Sequence, residues 1–333
     1  MRICCKFAAS SICPNMRKVV LSLLICLAAH LSAYSEGKVN ASTVIPFADP
    51  YIYYEDGTYY LYGTGNENGI AVAISHDLKT WSWPEGKPHL ALHKDNSYGD
   101  FWFWAPEVYK VGNKYLMYYS AEEHICVAEG DSPLGPFHQT VQKPMREAKG
   151  IDNSLFIDKD GKPYLFWVNF TEAGLQSWVA ELTDDCSTII EGTEKMCITT
   201  SQDWEKVWPS VNEGPFVLEH DGYYYLTYSA NSYESPHYGL GYAVAKHPTG
   251  PWVKYEGNPI LQFVGGLHGV GHQAYFTDNE GNRRIVFHSH NEPGKIHPRK
   301  IHIGTYRFIH NADSPDKLVI DSVFFTPGMN HNP

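Results

Sequence analysis

The chain has 333 residues, of which 43% are hydrophobic and 14% aromatic, with 28 glycines, 21 prolines and a formal net charge of −11. So acidic a balance argues against a nucleic-acid partner or an anionic membrane surface, and is compatible with a neutral ligand. Heavy use of Tyr, Trp, Gly and Pro favours an all-β protein, and no stretch carries helical periodicity of useful length.

The first 35 residues differ in kind from the rest. Arg17 and Lys18 precede an apolar run over residues 19–29, and small residues follow at Ala33 and Ser35. A basic flank, a short apolar core and an Ala-x-Ser end describe a secretory signal, too short for a stable membrane anchor. Residues 1–35 are therefore expected to be a signal peptide, with Met16 as an alternative start, and residues 36–333 one catalytic domain. The mature protein is expected to be secreted or periplasmic. A lipid anchor at Cys26 is disfavoured, because Ile25 stands where a small residue is needed. Four cysteines (Cys4, Cys5, Cys13, Cys26) belong to this segment and leave Cys126, Cys186 and Cys197. An odd number does not build a disulfide scaffold. Cys186 and Cys197 flank a short loop and are either bridged or buried free thiols. No Cys/His quartet of zinc-site spacing is present.

Beyond residue 40 one pattern recurs five times. At residues 49–57, 105–112, 152–161, 213–222 and 272–281, a short apolar run closes on a glycine turn. Each then restarts as a largely aromatic strand, at 59–62, 115–118, 164–167, 223–226 and 284–287. Two strands and a turn repeated at this interval have the period of a propeller blade. Between them lie alternating runs that end at Trp81, Phe137 and Trp252, the last two through Gly-Pro turns, so each blade is expected to be a four-stranded antiparallel sheet. The expected fold is an all-β, five-bladed β-propeller. Residues 317–326 read as closing strands of the last blade, with residues 41–48 pairing there to shut the ring and hide its edges. The segment Asp158-Lys159-Asp160-Gly161 lacks the later ligands of a calcium loop and reads as a hairpin turn.

The repeats open on Asp49, Ala105, Asp152, Glu213 and His272. The first strand of a blade lies innermost, so these residues should converge on the axis. A single aspartate there is equally well a turn cap, but three buried carboxylates are costly unless function demands them. Two carboxyl groups suffice to hydrolyse a glycosidic bond. Glu213, the longer side chain, suits the general acid, whose proton burial and a neighbouring negative charge can retain. Asp49, short and followed by the rigid Pro50, suits a base that positions water. Asp152 would orient the sugar and tune the acid.

These residues sit in five ordered motifs: Ala48-Asp49-Pro50, Trp104-Ala105-Pro106-Glu107, Ile151-Asp152-Asn153-Ser154, Asn212-Glu213-Gly214-Pro215 and Gly269-Val270-Gly271-His272. In that order, across essentially the whole mature chain, they resemble glycoside hydrolase family 43, in the clan of five-bladed propeller hydrolases. The resemblance implies a catalytic base at Asp49, a pKa modulator and orienter at Asp152 and a general acid at Glu213. It further implies inversion at the anomeric carbon, with carboxyls roughly 6.5–9.5 Å apart, and activity on α-L-arabinofuranosides or β-D-xylosides. His272 resembles the histidine that helps hold a hydrated ion, often calcium, on the propeller axis. One neutral imidazole is not a calcium site by itself, so a water-mediated contact is expected and no cofactor is needed for the chemistry. Arg299 falls where the family places an arginine in the sugar pocket, the alternative being a solvated surface arginine. Trp104, after the aromatic run 101–103, is expected to wall the pocket rather than fill core. Glu107, two residues past its opening position, is expected to support structure. Trp204 and Trp208 either shape subsites or pack between blades.

Two other readings compete: a non-catalytic sugar-binding propeller, and a retaining hydrolase of the same clan. The loops at 85–103, 199–212 and 231–239 decide between exo and endo action, and the aromatic first loop favours a blind pocket. The expectation is a monomeric exo-α-L-arabinofuranosidase acting on plant-type carbohydrate, with β-D-xylosidase as the alternative.

Overall fold

Each glycine turn read from the sequence is a hairpin turn. In two of them both turn residues are left-handed (Asp56-Gly57 and Asp221-Gly222), which matches the twist of the flanking strands. The structure, a computed structural model, describes residues 43–312 and 315–330; the expected signal segment lies outside the described residues.

Five antiparallel sheets follow one another along the chain. Blade 1 comprises Ala48–Glu55, Thr58–Thr64, Gly69–Ser75 and His89–His93; blade 2 comprises Trp104–Val111, Lys114–Ala121 and His124–Gly130. Blade 3 comprises Gly150–Ile157, Pro163–Thr171, Gly174–Glu181 and Lys195–Ile198. Blade 4 comprises Asn212–His220, Tyr223–Ala230, Gly239–Ala245 and Val253–Lys254, and blade 5 comprises Gly271–Thr277, Arg283–Ser289, Lys300–Ile309 and Lys317–Phe325. In blade 2 the fourth position is reduced to one bridge, between Glu129 and His138. The first strands of successive blades adjoin one another, and that of blade 5 returns to that of blade 1. The fold is a five-bladed β-propeller.

Closure differs in detail from the expectation. Residues 317–325 form the outer strand of blade 5, but the partner of the N-terminal segment lies further on. Gly328–Met329 runs parallel to Thr80–Trp81 beside blade 1, and Thr43 bridges Met329. Both ends of the described residues are thus tied to the first blade.

The core lies in the seams between blades. Leu116 and Tyr118 meet Leu165 and Trp167 between blades 2 and 3; Tyr164 and Phe166 meet Leu226 and Tyr228 between blades 3 and 4. Cys126, Cys186 and Cys197 are free and buried in three different clusters, so Cys186 and Cys197 are not bridged.

One irregularity repeats in every inner strand. The pairing register slips once per blade, between Ala48 and Tyr51, Trp104 and Glu107, Ile151 and Ser154, Glu213 and Phe216, and Gly271 and Ala274. At each slip one residue is left-handed: Asp49 (φ 48°), Ala105 (φ 45°), Asp152 (φ 56°), Gly214 (φ 56°) and His272 (φ 50°). Such a bulge withdraws a backbone N–H from the ladder and re-aims the side chain. The freed N–H needs a partner, and in four blades it takes one from the second strand of the preceding blade. Ala105 N donates to Thr64 Oγ1 at 2.9 Å, Asp152 N to Ser120 Oγ at 2.9 Å, and His272 N to Ser229 Oγ at 2.8 Å. Asp49 N donates to His288 Nδ1 at 3.2 Å, which closes the circle from blade 5 to blade 1. Each acceptor pairs across its own hairpin with the residue just before a bulge. These clasps join blade to blade next to the axis.

Removing one clasp leaves a buried N–H without an acceptor, which costs roughly 1–3 kcal/mol. Thr64→Val and Ser229→Ala should each lower unfolding stability by about that amount in urea titrations. A change of only a few tenths of a kcal/mol in both variants would mean that the clasps do not hold the ring.

Candidate active site

The bulges sort the inner-strand residues into layers. Left-handed residues Asp49, Asp152 and His272 border two spaces, a pocket at one end of the axis and a narrow channel below it. Residues just before a bulge, Trp104, Ile151 and Glu213, line only the pocket; those after it, Pro50, Pro106, Pro215 and Gln273, line only the channel. The repeat pattern aligns Glu213 with Asp49 and Asp152. The structure corrects this: the left-handed residue of blade 4 is Gly214, and Glu213 stands one position earlier, level with Trp104 and Ile151. Its carboxyl therefore belongs to the pocket alone. The pocket, about 220 Å³, is completed by Thr64, Tyr233 and Arg299.

Asp49 is buried against three basic side chains. Arg299 grips it with both terminal nitrogens, Nη1 to Oδ1 at 2.8 Å and Nη2 to Oδ2 at 3.4 Å. His288 Nδ1 and His272 Nδ1 lie 3.3 and 3.5 Å from Oδ1. Burial pushes this carboxyl up, but Arg299, His272 and His288 together outweigh it and hold Asp49 well below the usual carboxylate range. Burial, reinforced by Arg299, pushes His288 down to about 3, so its imidazole is neutral.

The other two carboxyls lack such a partner. Burial pushes Glu213 up to about 7; the charge of Asp49 adds to this, while a hydrogen bond from Tyr238 (2.7 Å to Oε1) and the more distant Arg299 oppose it. Burial likewise pushes Asp152 up to about 7. There His272 opposes, the charges of Glu213 and Asp49 add, and the Gly214 N–H opposes by donating to Oδ2 at 3.1 Å. The pocket thus holds one firmly ionised carboxylate and two carboxyls poised near neutrality, and the latter two titrate as a coupled pair.

Arg299 is half-buried rather than solvated, its side chain 10% exposed and its guanidinium 4.7 Å from the Tyr233 ring centre; its Nε has no hydrogen-bond partner among the described residues. Trp104 walls the pocket and stacks on Trp102 at 5.3 Å, and exposed Phe101 and Trp102 extend that aromatic surface at the rim. Glu107 lines the channel instead, accepts a hydrogen bond from Tyr109, and is pushed by burial up to about 8. Trp204 packs on Tyr228 at 6.1 Å, whereas Trp208 is exposed. Asp158 sits in a hairpin turn and accepts from Tyr224.

Tyr238 and His288 carry no motif and are not evident in the sequence. Tyr238 stacks on His288 at 5.8 Å, and His288 on His272 at 6.1 Å, a column that links the hydroxyl on Glu213 to the surroundings of Asp49. The signal for His288 is its repeat position, one to three residues past the end of the second-strand run, where other blades carry Thr64, Ser120 and Ser229. The glycines of the fifth motif make room for this column. A Cβ on Gly271 would lie 2.2 Å from the Tyr238 ring, and one on Gly269 2.2 Å from the His290 ring. His290 in turn holds the Tyr233 carbonyl at 2.7 Å. Behind Glu213, fully buried Glu205 pairs with Lys254 (2.5 Å), which also donates to Asn212 Oδ1 at 3.0 Å and so anchors the residue preceding Glu213.

His272 lies at the junction of pocket and channel. Among the described residues no three His, Cys, Asp or Glu side chains are disposed to hold a metal ion. Two imidazoles beside a carboxylate already gripped by arginine are not the oxygen-rich set that calcium takes. The residues do not fit direct coordination of an ion. No described helix is long and apolar enough to cross a membrane.

Comparison with known proteins accords with this geometry. The sequence profile of glycosyl hydrolases family 43 matches residues 43–311. An extracellular exo-α-(1→5)-L-arabinofuranosidase of Streptomyces chartreusis is 28% identical over 270 residues, 73% of this chain and 79% of that protein. A crystal structure described as an endo-1,4-β-xylanase from Bacteroides thetaiotaomicron superposes with a TM-score of 0.81 at 43% identity, covering 87% of this chain and 99% of the other. A thermostable family-43 glycoside hydrolase superposes with a TM-score of 0.73 at 35% identity, covering 88% and 97%. With the profile spanning nearly all of the propeller and the acidic pocket on its axis, the chain belongs to glycosyl hydrolases family 43 and is a glycoside hydrolase.

Proposed function

We propose that this glycosidase is secreted and removes terminal pentose residues from plant-type oligo- or polysaccharide, as an exo-acting α-L-arabinofuranosidase in which Asp49 is the base, Glu213 the acid and Asp152 the modulator. The observation that carries the reading is the division of protonation states in one small pocket. Asp49 stays ionised and can accept a proton from water, while Glu213 keeps a proton near neutral pH and can give it to the leaving oxygen.

In this reading water attacks the anomeric carbon from the face opposite the leaving group. Asp49 takes its proton as the glycosidic C–O bond breaks and Glu213 protonates the departing oxygen. One water is consumed and configuration inverts, as is the property of the family. A carboxylate held so low is a weak base, so its action relies on the oxocarbenium-like carbon making the attacking water acidic. Asp152, when anionic, keeps the proton on Glu213 by repulsion. Trp104 and Tyr233 offer apolar faces to the sugar.

Exo action is supported by the pocket volume, about 220 Å³, below the range typical of sites for larger ligands. The arabinofuranoside is supported by the Streptomyces relative, whose name also supports secretion together with the apolar N-terminal segment. A β-D-xyloside is the second reading, favoured by the 43% identity to the Bacteroides protein.

Glu213→Gln should lower kcat/KM by roughly 10²–10⁴-fold on natural glycosides and far less on a dinitrophenyl glycoside, whose leaving group needs no proton. Wild-type activity on natural glycosides should fall as pH rises through about 7, where Glu213 releases its proton. An equal loss on both substrate types would remove Glu213 from the role of acid.

Asp49→Asn should abolish turnover while calorimetric binding of the product sugar persists. A folded variant with near-normal turnover would return the non-catalytic, sugar-binding reading.

On a panel of nitrophenyl glycosides the α-L-arabinofuranoside should be cleaved fastest, and proton NMR should show the first-formed sugar with inverted configuration. A preference for the β-D-xyloside would select the second reading, and retained configuration would make Asp49 a nucleophile.

A further inference from the structure

The interblade clasp is broken once, and the break falls at the catalytic pair. Thr64, Ser120, Ser229 and His288 each pair with the residue before a bulge and accept the bulge N–H of the next blade. In blade 3 the same register position, paired with Ile151, is held by Val168. Val168 is fully buried and offers no acceptor. The N–H it would have received is that of Gly214, which instead donates to Asp152 Oδ2 at 3.1 Å. Asp152 is itself the left-handed residue of blade 3, so the missing clasp is replaced by a bond from one bulge to the next.

We propose that Val168, by withholding an acceptor, hands the Gly214 N–H to the Asp152 carboxylate, and that Val168 and Gly214 are thereby positioning residues that place the shared proton of the Asp152–Glu213 pair on Glu213. The inference rests on the roles given above to Asp152 and Glu213. An N–H donor favours the ionised form of the group that accepts it. Of the two singly protonated arrangements, the one with Asp152 ionised and Glu213 protonated gains more from this bond, because a carboxylate accepts more strongly than a neutral carboxyl, and only that one can protonate a leaving group. Other groups facing the pair act beside it: His272 also favours ionised Asp152, the charges of Asp49 and Glu107 oppose it, and the Tyr238 hydroxyl and Arg299 favour ionised Glu213, so the Gly214 N–H tips the balance toward ionised Asp152 together with His272. A hydroxyl at position 168 would recapture the N–H, as Thr64, Ser120 and Ser229 do in the neighbouring blades.

The test compares Val168→Thr with Val168→Ala, which removes side-chain volume but adds no acceptor, and Val168→Ser serves if the threonine variant fails to fold. The pH profile of kcat/KM is measured on a natural arabino-oligosaccharide and on a dinitrophenyl glycoside. In V168T the acid limb should move up by roughly 0.5–1 pH unit, the size expected for loss of one hydrogen bond to a charged group. The plateau on the oligosaccharide should fall about 3–10-fold and that on the dinitrophenyl glycoside should hold, whereas V168A keeps the wild-type limbs. Superimposable V168T and V168A profiles would overturn the proposal. Asp152→Asn separates this from the underlying reading: loss of the Asp152 charge should move the alkaline limb to lower pH. If D152N leaves both limbs in place, the role of Asp152 itself is wrong.

Discussion

A left-handed residue in the innermost strand of every blade is the constraint on which the rest of this propeller depends. Four of the five are not glycine, and each such conformation costs on the order of 1–3 kcal/mol. The distortion persists because the N–H it turns out of the ladder is taken up by the adjacent blade, through Thr64, Ser120, Ser229 and His288. One geometric device therefore does two things. It links the blades around the axis, and it turns Asp49, Asp152 and His272 toward the space where the blades meet. A regular inner strand would pair those N–H groups within its own hairpin and leave the axis without chemistry.

Given that convergence, one cation decides which carboxyl does what. Burial is the largest influence on all three, and in each it raises the pKa. Only Asp49 also has a two-pronged contact with Arg299, which together with His272 and His288 reverses the outcome. Its negative charge then falls on Asp152 and Glu213 and raises both further. Asp49 and Glu213 are thus coupled: ionising the first helps keep the second protonated. Arg299 comes from blade 5, Asp49 from blade 1 and Glu213 from blade 4, so this division of protonation states exists only once the ring has closed.

Much of this is legible in the sequence, and the misses have physical causes. Hairpin turns with a glycine and largely aromatic second strands give the blade count, because a tight turn and a seam-filling apolar side chain are local requirements. Asp49, Asp152, Glu213, Trp104, His272 and Arg299 all border one pocket. The register of Glu213 is off by one because a bulge leaves no mark on an apolar pattern, and only the left-handed Gly214 reveals it. Ring closure is misread because Thr43 meets Met329 over a single bridge, with too few residues to show alternation. Tyr238 escapes because it lies in an irregular loop, and what fixes it is stacking on a histidine 50 positions further along the chain.

The fifth motif shows how the irregular loops are made as definite as the strands. Gly269 and Gly271 bear no functional group, yet any side chain there would collide with His290 or Tyr238. The first contact sets where Tyr233 stands, through its carbonyl, and so sets the ring under Arg299. The second sets the hydroxyl that meets Glu213. Two hydrogens in place of side chains thus let the loop at residues 231–239 settle against both Arg299 and Glu213. Packing thus holds Tyr233 against Arg299 and Tyr238 against His288, and the second of these contacts supports the pocket from outside its own lining.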